Sequence, residues 1–106
     1  MPQIKYKIKF TNIANDDLGQ IYNYSCEELA AEIAANNLLL KIESSIVRLS
    51  IFPESGSLVT DEILRNKGYH RLTVDNYLVF YLVDEENKQV VIVRILYGGR
   101  QYENIL

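Results

Sequence analysis

The chain has 106 residues, 48% of them apolar, and a formal net charge of −3 from 11 basic and 14 acidic side chains. That length supports one domain, residues 1–106, with a single core, and the apolar content excludes intrinsic disorder. The acidic balance argues against broad, non-specific nucleic-acid binding, which draws on a surplus of Lys and Arg. No apolar run approaches the ~20 residues that span a bilayer, and the chain opens on an alternating strand where a signal peptide would place an apolar core. Residence in the cytoplasm without membrane contact is therefore expected. A single Cys26 makes no internal disulfide. One cysteine with one histidine builds no structural zinc centre, so neither metal nor cofactor is expected. Charge is unevenly spread: residues 1–62 carry 5 basic and 9 acidic side chains, and residues 63–100 carry 6 and 4, including four of the five arginines. A local cationic face on an acidic protein suits a particular anionic partner.

In chain order, residues 4–10 alternate strictly, with Ile4, Tyr6, Ile8 and Phe10 on one face and Lys5, Lys7 and Lys9 on the other. Period 2 makes this a half-buried strand, and lysines on its solvent face suit either phosphate binding or, the favoured reading, protection of a sheet edge from pairing with other chains. Thr11 or Asn12 caps a helix starting near Ile13, with Ala14, Leu18 and Ile21 at helical spacing and an end expected near Tyr24. Ser25-Cys26-Glu27-Glu28 has the form of a capping box and predicts the start of a second helix. This helix is expected to run about 24 to 26 residues to Ile51, carrying Leu29, Ile33, Leu40, Val47 and Ile51 on one face, flanked by Leu39 and Ile46. Pro53 ends it. Residues 53–68 read as irregular, with Ile63 and Leu64 as anchors and a short helical turn at 61–66. Three strands follow, 69–74, 77–83 and 88–96, joined through Asp75-Asn76 and Asp84-Glu85-Glu86-Asn87 as an antiparallel meander. The middle strand is apolar on both faces, as expected when both are covered. The resulting fold class is α+β, in the order β-α-α-β-β-β: a helical hairpin packed on a curved, mainly antiparallel four-stranded sheet.

No phosphate-binding glycine loop, zinc-binding helix motif or serine nucleophile elbow is present. Arginine placement carries more information: Arg71 and Arg94 lie on the first and last meander strands, and Arg100 just beyond. A guanidinium fork pairs with phosphate or carboxylate, so these residues suit an RNA backbone, a phosphodiester leaving group or an acidic protein. Arg94, inside an apolar strand, also needs a partner of its own, for which Glu43 or another helix acid would serve. His70 is a candidate general base or a structural histidine. Tyr97-Gly98-Gly99-Arg100-Gln101-Tyr102 places aromatic rings beside a guanidinium. That combination stacks a nucleobase over its phosphate, or builds a protein interface hot spot.

The chain resembles the RelE/ParE family of toxins from bacterial type II toxin-antitoxin systems. The resemblance rests on Thr11, Ala14 and Asp17-Leu18 after the opening strand, then Leu49, Phe52-Pro53 and Gly56. It continues in Arg71-Leu72, Asn76-Tyr77, Phe80-Tyr81 and Val83-Asp84, and in the ending Val93-Arg94-Ile95-Leu96-Tyr97-Gly98-Gly99-Arg100-Gln101-Tyr102 with Leu106. It implies a toxin neutralised by a cognate antitoxin, in a heterotetramer or with a toxin dimer. Two targets follow from the family. The ParE-like branch poisons DNA gyrase; the RelE-like branch cleaves messenger RNA on the ribosome. In the RelE-like case the resemblance makes Arg71, Arg94 and Arg100 the phosphate and transition-state residues, with His70, Tyr97 or Tyr102 moving the proton. RelE-like strands carry two lysines where this chain offers His70, Arg71 and Thr73, and an arginine where Leu78 stands; many have a histidine at the position of Tyr97. These departures, together with the long, uninterrupted second helix expected here, which resembles the ParE-like branch, favour that branch. A fold relative without toxicity, acting as a protein-binding module, is the third reading.

Overall fold

The computed structural model describes residues 5–29, 32–59 and 62–98. Strand β1 (Lys7–Phe10) leads into helix α1 (Asn12–Leu29), then α2 (Glu32–Val47) and a 3-10 turn at Arg48–Ser50. After a two-residue strand β2 (Ser57–Leu58) and a one-turn helix α3 (Glu62–Asn66) comes the meander of β3 (His70–Val74), β4 (Tyr77–Asp84) and β5 (Gln89–Tyr97). The strand order is β1-β5-β4-β3-β2. β1 runs parallel to β5, and the remaining pairs are antiparallel. The expected four strands are present, and residues 57–58 of the irregular segment add a short fifth at the edge.

Helix boundaries differ from the sequence reading. Ser25-Cys26-Glu27-Glu28 starts no helix; α1 continues without a break to Leu29, and the second helix is 16 residues long. A capping box starts a helix only where the preceding turn has already been broken. Residues 20–29 contain neither glycine nor proline to break it, and Ser and Glu are tolerated in a helix interior. The link between the helices, at 30–31, lies outside the described residues, as do the side chains of residues 25–29.

The apolar face read along α2 exists, but it points away from the sheet. Ile33, Leu40 and Val47 are 77%, 59% and 61% exposed. The helix packs instead through Ala35, Ile42 and Ile46, with Leu38 partly covered and Leu49 following in the 3-10 turn. At 3.6 residues per turn the two stripes lie about 140° apart, so the helix is apolar on two sides. The core side meets Ala14 and Ile21 of α1 and Val79, Tyr81, Val90, Ile92 and Ile95 of the sheet. On the opposite sheet face Leu78, Phe80 and Leu96 pack with Val59 and Leu64. That second cluster explains why β4 is apolar on both faces. Of the two expected anchors in this segment Leu64 is buried; Ile63 is 67% exposed, and Val59 takes its place at 0%.

β1 ends where Phe10 pairs with Ile92, leaving the outer edge of β5 without a strand partner from Val93 onward. Thr11 and Asp17 close that edge. The Thr11 hydroxyl caps α1 by accepting the Ala14 N–H at 3.0 Å and donates to the Val93 carbonyl at 2.9 Å. The Asp17 carboxylate accepts the Ile95 N–H at 3.0 Å and both prongs of Arg94, Nε at 2.8 Å and Nη2 at 3.0 Å. The β4–β5 register shifts here: Phe80 pairs with Arg94 but Tyr81 with Ile92, so Val93 is the extra residue of a bulge.

Two substitutions test this construction. Asp17→Ala strands a largely buried guanidinium and an edge N–H, and lowers the stability measured by urea unfolding by about 3 kcal/mol; Asp17→Asn, keeping an acceptor, loses less. At Gly56 an added Cβ would lie 2.6 Å from the Arg71 carbonyl oxygen and 2.7 Å from the Tyr81 hydroxyl. Gly56→Ala is therefore expected to cost about 1–3 kcal/mol in the same assay.

Candidate functional site

Arg94 is committed to the fold. Its side chain is 17% exposed, that of Asp17 is 7% exposed, and the hydrogen bonds to this carboxylate hold the guanidinium more firmly charged than usual. The partner is a helix acid, but not Glu43, which is exposed on α2. Arg71 sits opposite Phe80 on one side and Ser57 on the other. Because Arg94 pairs with Phe80 from the far side, the two arginine backbones lie two strand spacings apart, about 10 Å. They form no common clamp.

His70 precedes Arg71 on β3, so strand alternation sends the two side chains to opposite faces of the sheet. Its Nδ1 lies 3.0 Å from the Gly68 carbonyl, and its ring stacks on Tyr81 with centroids 5.2 Å apart. A carbonyl only accepts, so the bond requires the proton on Nδ1. Burial pushes the Tyr81 hydroxyl above its usual pKa, while the Gly56 N–H that it accepts at 3.0 Å pulls the other way. Tyr97 is 54% exposed and pairs with Tyr77 at the start of β4, four residues from Tyr81 and so about 13 Å along the strand. Among the described residues, His70, Arg71, Arg94 and Tyr97 do not converge. Arg100 and Tyr102 lie outside the described residues.

The structure instead forms a cleft of about 470 Å³ between α1 and the Tyr97 end of β5. Asp17, Gln20, Ile21 and Tyr24 line its helix side, a spacing of i, i+3, i+4 and i+7 that places all four on one face. Tyr77 and Tyr97 form the sheet side, their rings edge to face at 82° with centroids 5.9 Å apart. Tyr97 alone of these was a candidate from sequence. The helical spacing from Asp17 to Tyr24 was the available signal for the four residues of α1.

A second exposed surface is the outer stripe of α2, Ile33, Leu40 and Val47, with Ile51 and Phe52 exposed beyond the helix end at 37% and 57%. An apolar stripe in water is characteristic of a protein contact surface. The described residues include no group of three or more metal-ligating side chains, and no helix among them is long and apolar enough to cross a membrane.

Residues 8–102 match the family described as ParE toxin of type II toxin-antitoxin system, parDE. No curated protein matches the chain. Among solved structures, the chromosomal ParDE toxin-antitoxin system of P. aeruginosa superposes with a TM-score of 0.72 at 21% identity, covering 90% of this chain and 98% of that one. The toxin-antitoxin complex RelBE2 of Mycobacterium tuberculosis gives 0.62 at 22% identity, with coverage of 89% and 99%. A mutant of the E. coli toxin RelE in the free state gives 0.64 at 12% identity, with coverage of 96% and 99%. These structures share the α+β fold of a helical hairpin on a sheet. With the family match spanning nearly the whole sequence, the chain belongs to the ParE toxins of type II toxin-antitoxin systems.

Proposed function

We propose that this toxin arrests growth by binding and poisoning DNA gyrase, and that a cognate antitoxin neutralises it by covering part of its surface. The observation that carries the choice of target is the dispersal of the candidate nucleolytic groups among the described residues, His70, Arg71, Arg94 and Tyr97. General acid-base catalysis needs a proton carrier within hydrogen-bond reach of the reacting phosphate, with cations placed on the developing charge. Here Arg94 is engaged by Asp17, His70 and Arg71 leave opposite faces of the sheet, and Tyr97 stands at its other end. A gyrase poison needs none of them assembled; it needs surface. The ParE family match and the superposition on a ParDE system agree with this reading. One observation favours RNA cleavage on the ribosome: by register, Lys7 and Lys9 share with Arg71 the sheet face turned away from the hairpin, and a cationic sheet face suits an RNA backbone.

The test is supercoiling of relaxed plasmid by purified gyrase with and without the toxin, run beside ribosome-programmed cleavage of a messenger RNA. Inhibition of supercoiling with accumulation of cleaved plasmid, and intact RNA, is expected. Intact gyrase activity with cut RNA would establish the RelE-like reading. No effect in either assay would leave a fold relative that acts as a protein-binding module.

Neutralisation is assigned to the outer stripe of α2. Leu40→Asp changes a 59% exposed residue, so unfolding should move by no more than about 0.5 kcal/mol. Placing a charge in the middle of an apolar contact should weaken antitoxin binding at least tenfold, about 1.4 kcal/mol. Co-purification of the two proteins and rescue of growth by the co-expressed antitoxin read that loss. Unchanged neutralisation would move the antitoxin site off this stripe.

A further inference from the structure

We propose that in the free toxin the outer stripe of α2 pairs with the same stripe of a second copy, the two helices running antiparallel about a two-fold axis at Leu40. The self-association rests on the geometry of α2; only its consequence for neutralisation rests on the assignment of the antitoxin to this stripe. Ile33, Leu40 and Val47 are 77%, 59% and 61% exposed, and they follow one another at seven-residue intervals. Seven residues turn a helix through about 700°, which is about 20° short of two turns, so the three side chains stand almost in line. Leu40 sits midway between the other two. An antiparallel copy in which Leu40 meets Leu40 therefore sets each Ile33 against a Val47, and each of the three apolar side chains finds an apolar one.

The flanks of the stripe match under the same operation. Asn36 and Glu43 border it on one side, Asn37 and Ser44 on the other, and all four are exposed. The two-fold brings Asn36 of one copy beside Glu43 of the other, and Asn37 beside Ser44. An amide N–H then donates to a carboxylate, and an amide and a hydroxyl satisfy one another. Glu43 makes no ion pair among the described residues, and Lys41 is turned to Asp75 at 3.2 Å. The seam thus sets no two like charges opposite each other, an arrangement that would oppose association. Antiparallel helices also place their dipoles in opposition. A two-fold contact uses one patch on both copies, so association stops at a dimer. The 16 residues of α2 make a helix about 24 Å long and about 10 Å across. A contact of that footprint falls below the roughly 1,200 Å² at which lasting interfaces begin. The dimer is accordingly weak, and an antitoxin that covers the same stripe takes the place of the second copy.

The test follows the full chain by sedimentation equilibrium across the micromolar range, where a monomer–dimer equilibrium is expected. Leu40→Asp, at an exposed position, should keep the folded circular-dichroism spectrum and weaken dimerisation by a factor of at least about ten. Orientation is read by disulfide cross-linking, with Cys26→Ser as the background. Leu40→Cys should oxidise to a covalent dimer, since facing Cα atoms of packed helices come within the ~4.4–6.8 Å that a disulfide spans. Ile33→Cys alone should stay uncross-linked, because the two-fold puts its copies about 21 Å apart along the helices. Ile33→Cys combined with Val47→Cys should cross-link. A chain monomeric throughout the micromolar range, or a dimer that Leu40→Asp leaves intact, would overturn the proposal. Cross-linking of Ile33→Cys alone would overturn the antiparallel pairing. Antitoxin added before the oxidant should abolish the Leu40→Cys cross-link. A cross-link that still forms within the antitoxin complex would move the antitoxin off the stripe and leave the dimer standing, so the two failures are told apart.

Discussion

The carboxylate of Asp17 sets the relation between the helical layer and the sheet. β1 is four residues long, and the chain turns into helix two residues after it ends. β5 therefore continues past its parallel partner with main-chain groups that need hydrogen bonds. Thr11 and Asp17, one at the cap of α1 and one in its second turn, supply them. Once both are engaged, the helix axis must follow the edge of β5. That brings Ala14, 0% exposed, against the sheet and carries Tyr24 over its far end. The cleft is a geometric result of this constraint. A charge this deeply covered is tolerated because Arg94 neutralises it and three hydrogen bonds occupy its oxygens.

The strands were legible in the sequence because their signals are local. Alternation fixed β1, and turn residues fixed the two hairpins. Asp75 and Lys88 hold φ of 53° and 52° at their turns, and Asp84 binds the Asn87 N–H and amide. The helices were less legible. Ser25-Cys26-Glu27-Glu28 has the composition of a helix start, but composition does not say whether the preceding helix has stopped. On α2 the larger residues Ile33, Leu40 and Val47 form the more conspicuous stripe, whereas packing chose the side of Ala35, Ile42 and Ile46. A small residue lets the helix approach its neighbours, and no periodicity of large side chains reports that. At the site, the need of Arg94 for a helix acid was legible. That the acid is Asp17 follows from the parallel pairing of β1 with β5, a contact between residues about 80 apart in the chain.

The departures from the RelE-like pattern gain a physical meaning from the second, smaller core. Leu78 stands where that pattern places an arginine, and here it is 8% exposed among Val59, Leu64, Phe80 and Leu96. An arginine at this position would have to displace the segment that carries Val59 and α3, or bury its charge beside it at a cost of several kcal/mol. The packing of that segment onto Leu78 and Phe80 thus works against a cationic centre on the middle of the sheet. Arg94, by register on the same face, is drawn to the sheet edge by Asp17. Among the described residues, exposed apolar and aromatic surface gathers in a stripe on α2 and in a cleft beside α1, while Lys7, Lys9 and Arg71 share the sheet face turned away from the hairpin. The stripe lies on the outer side of the hairpin, and the cleft lies where α1 meets Tyr77 and Tyr97 of the sheet.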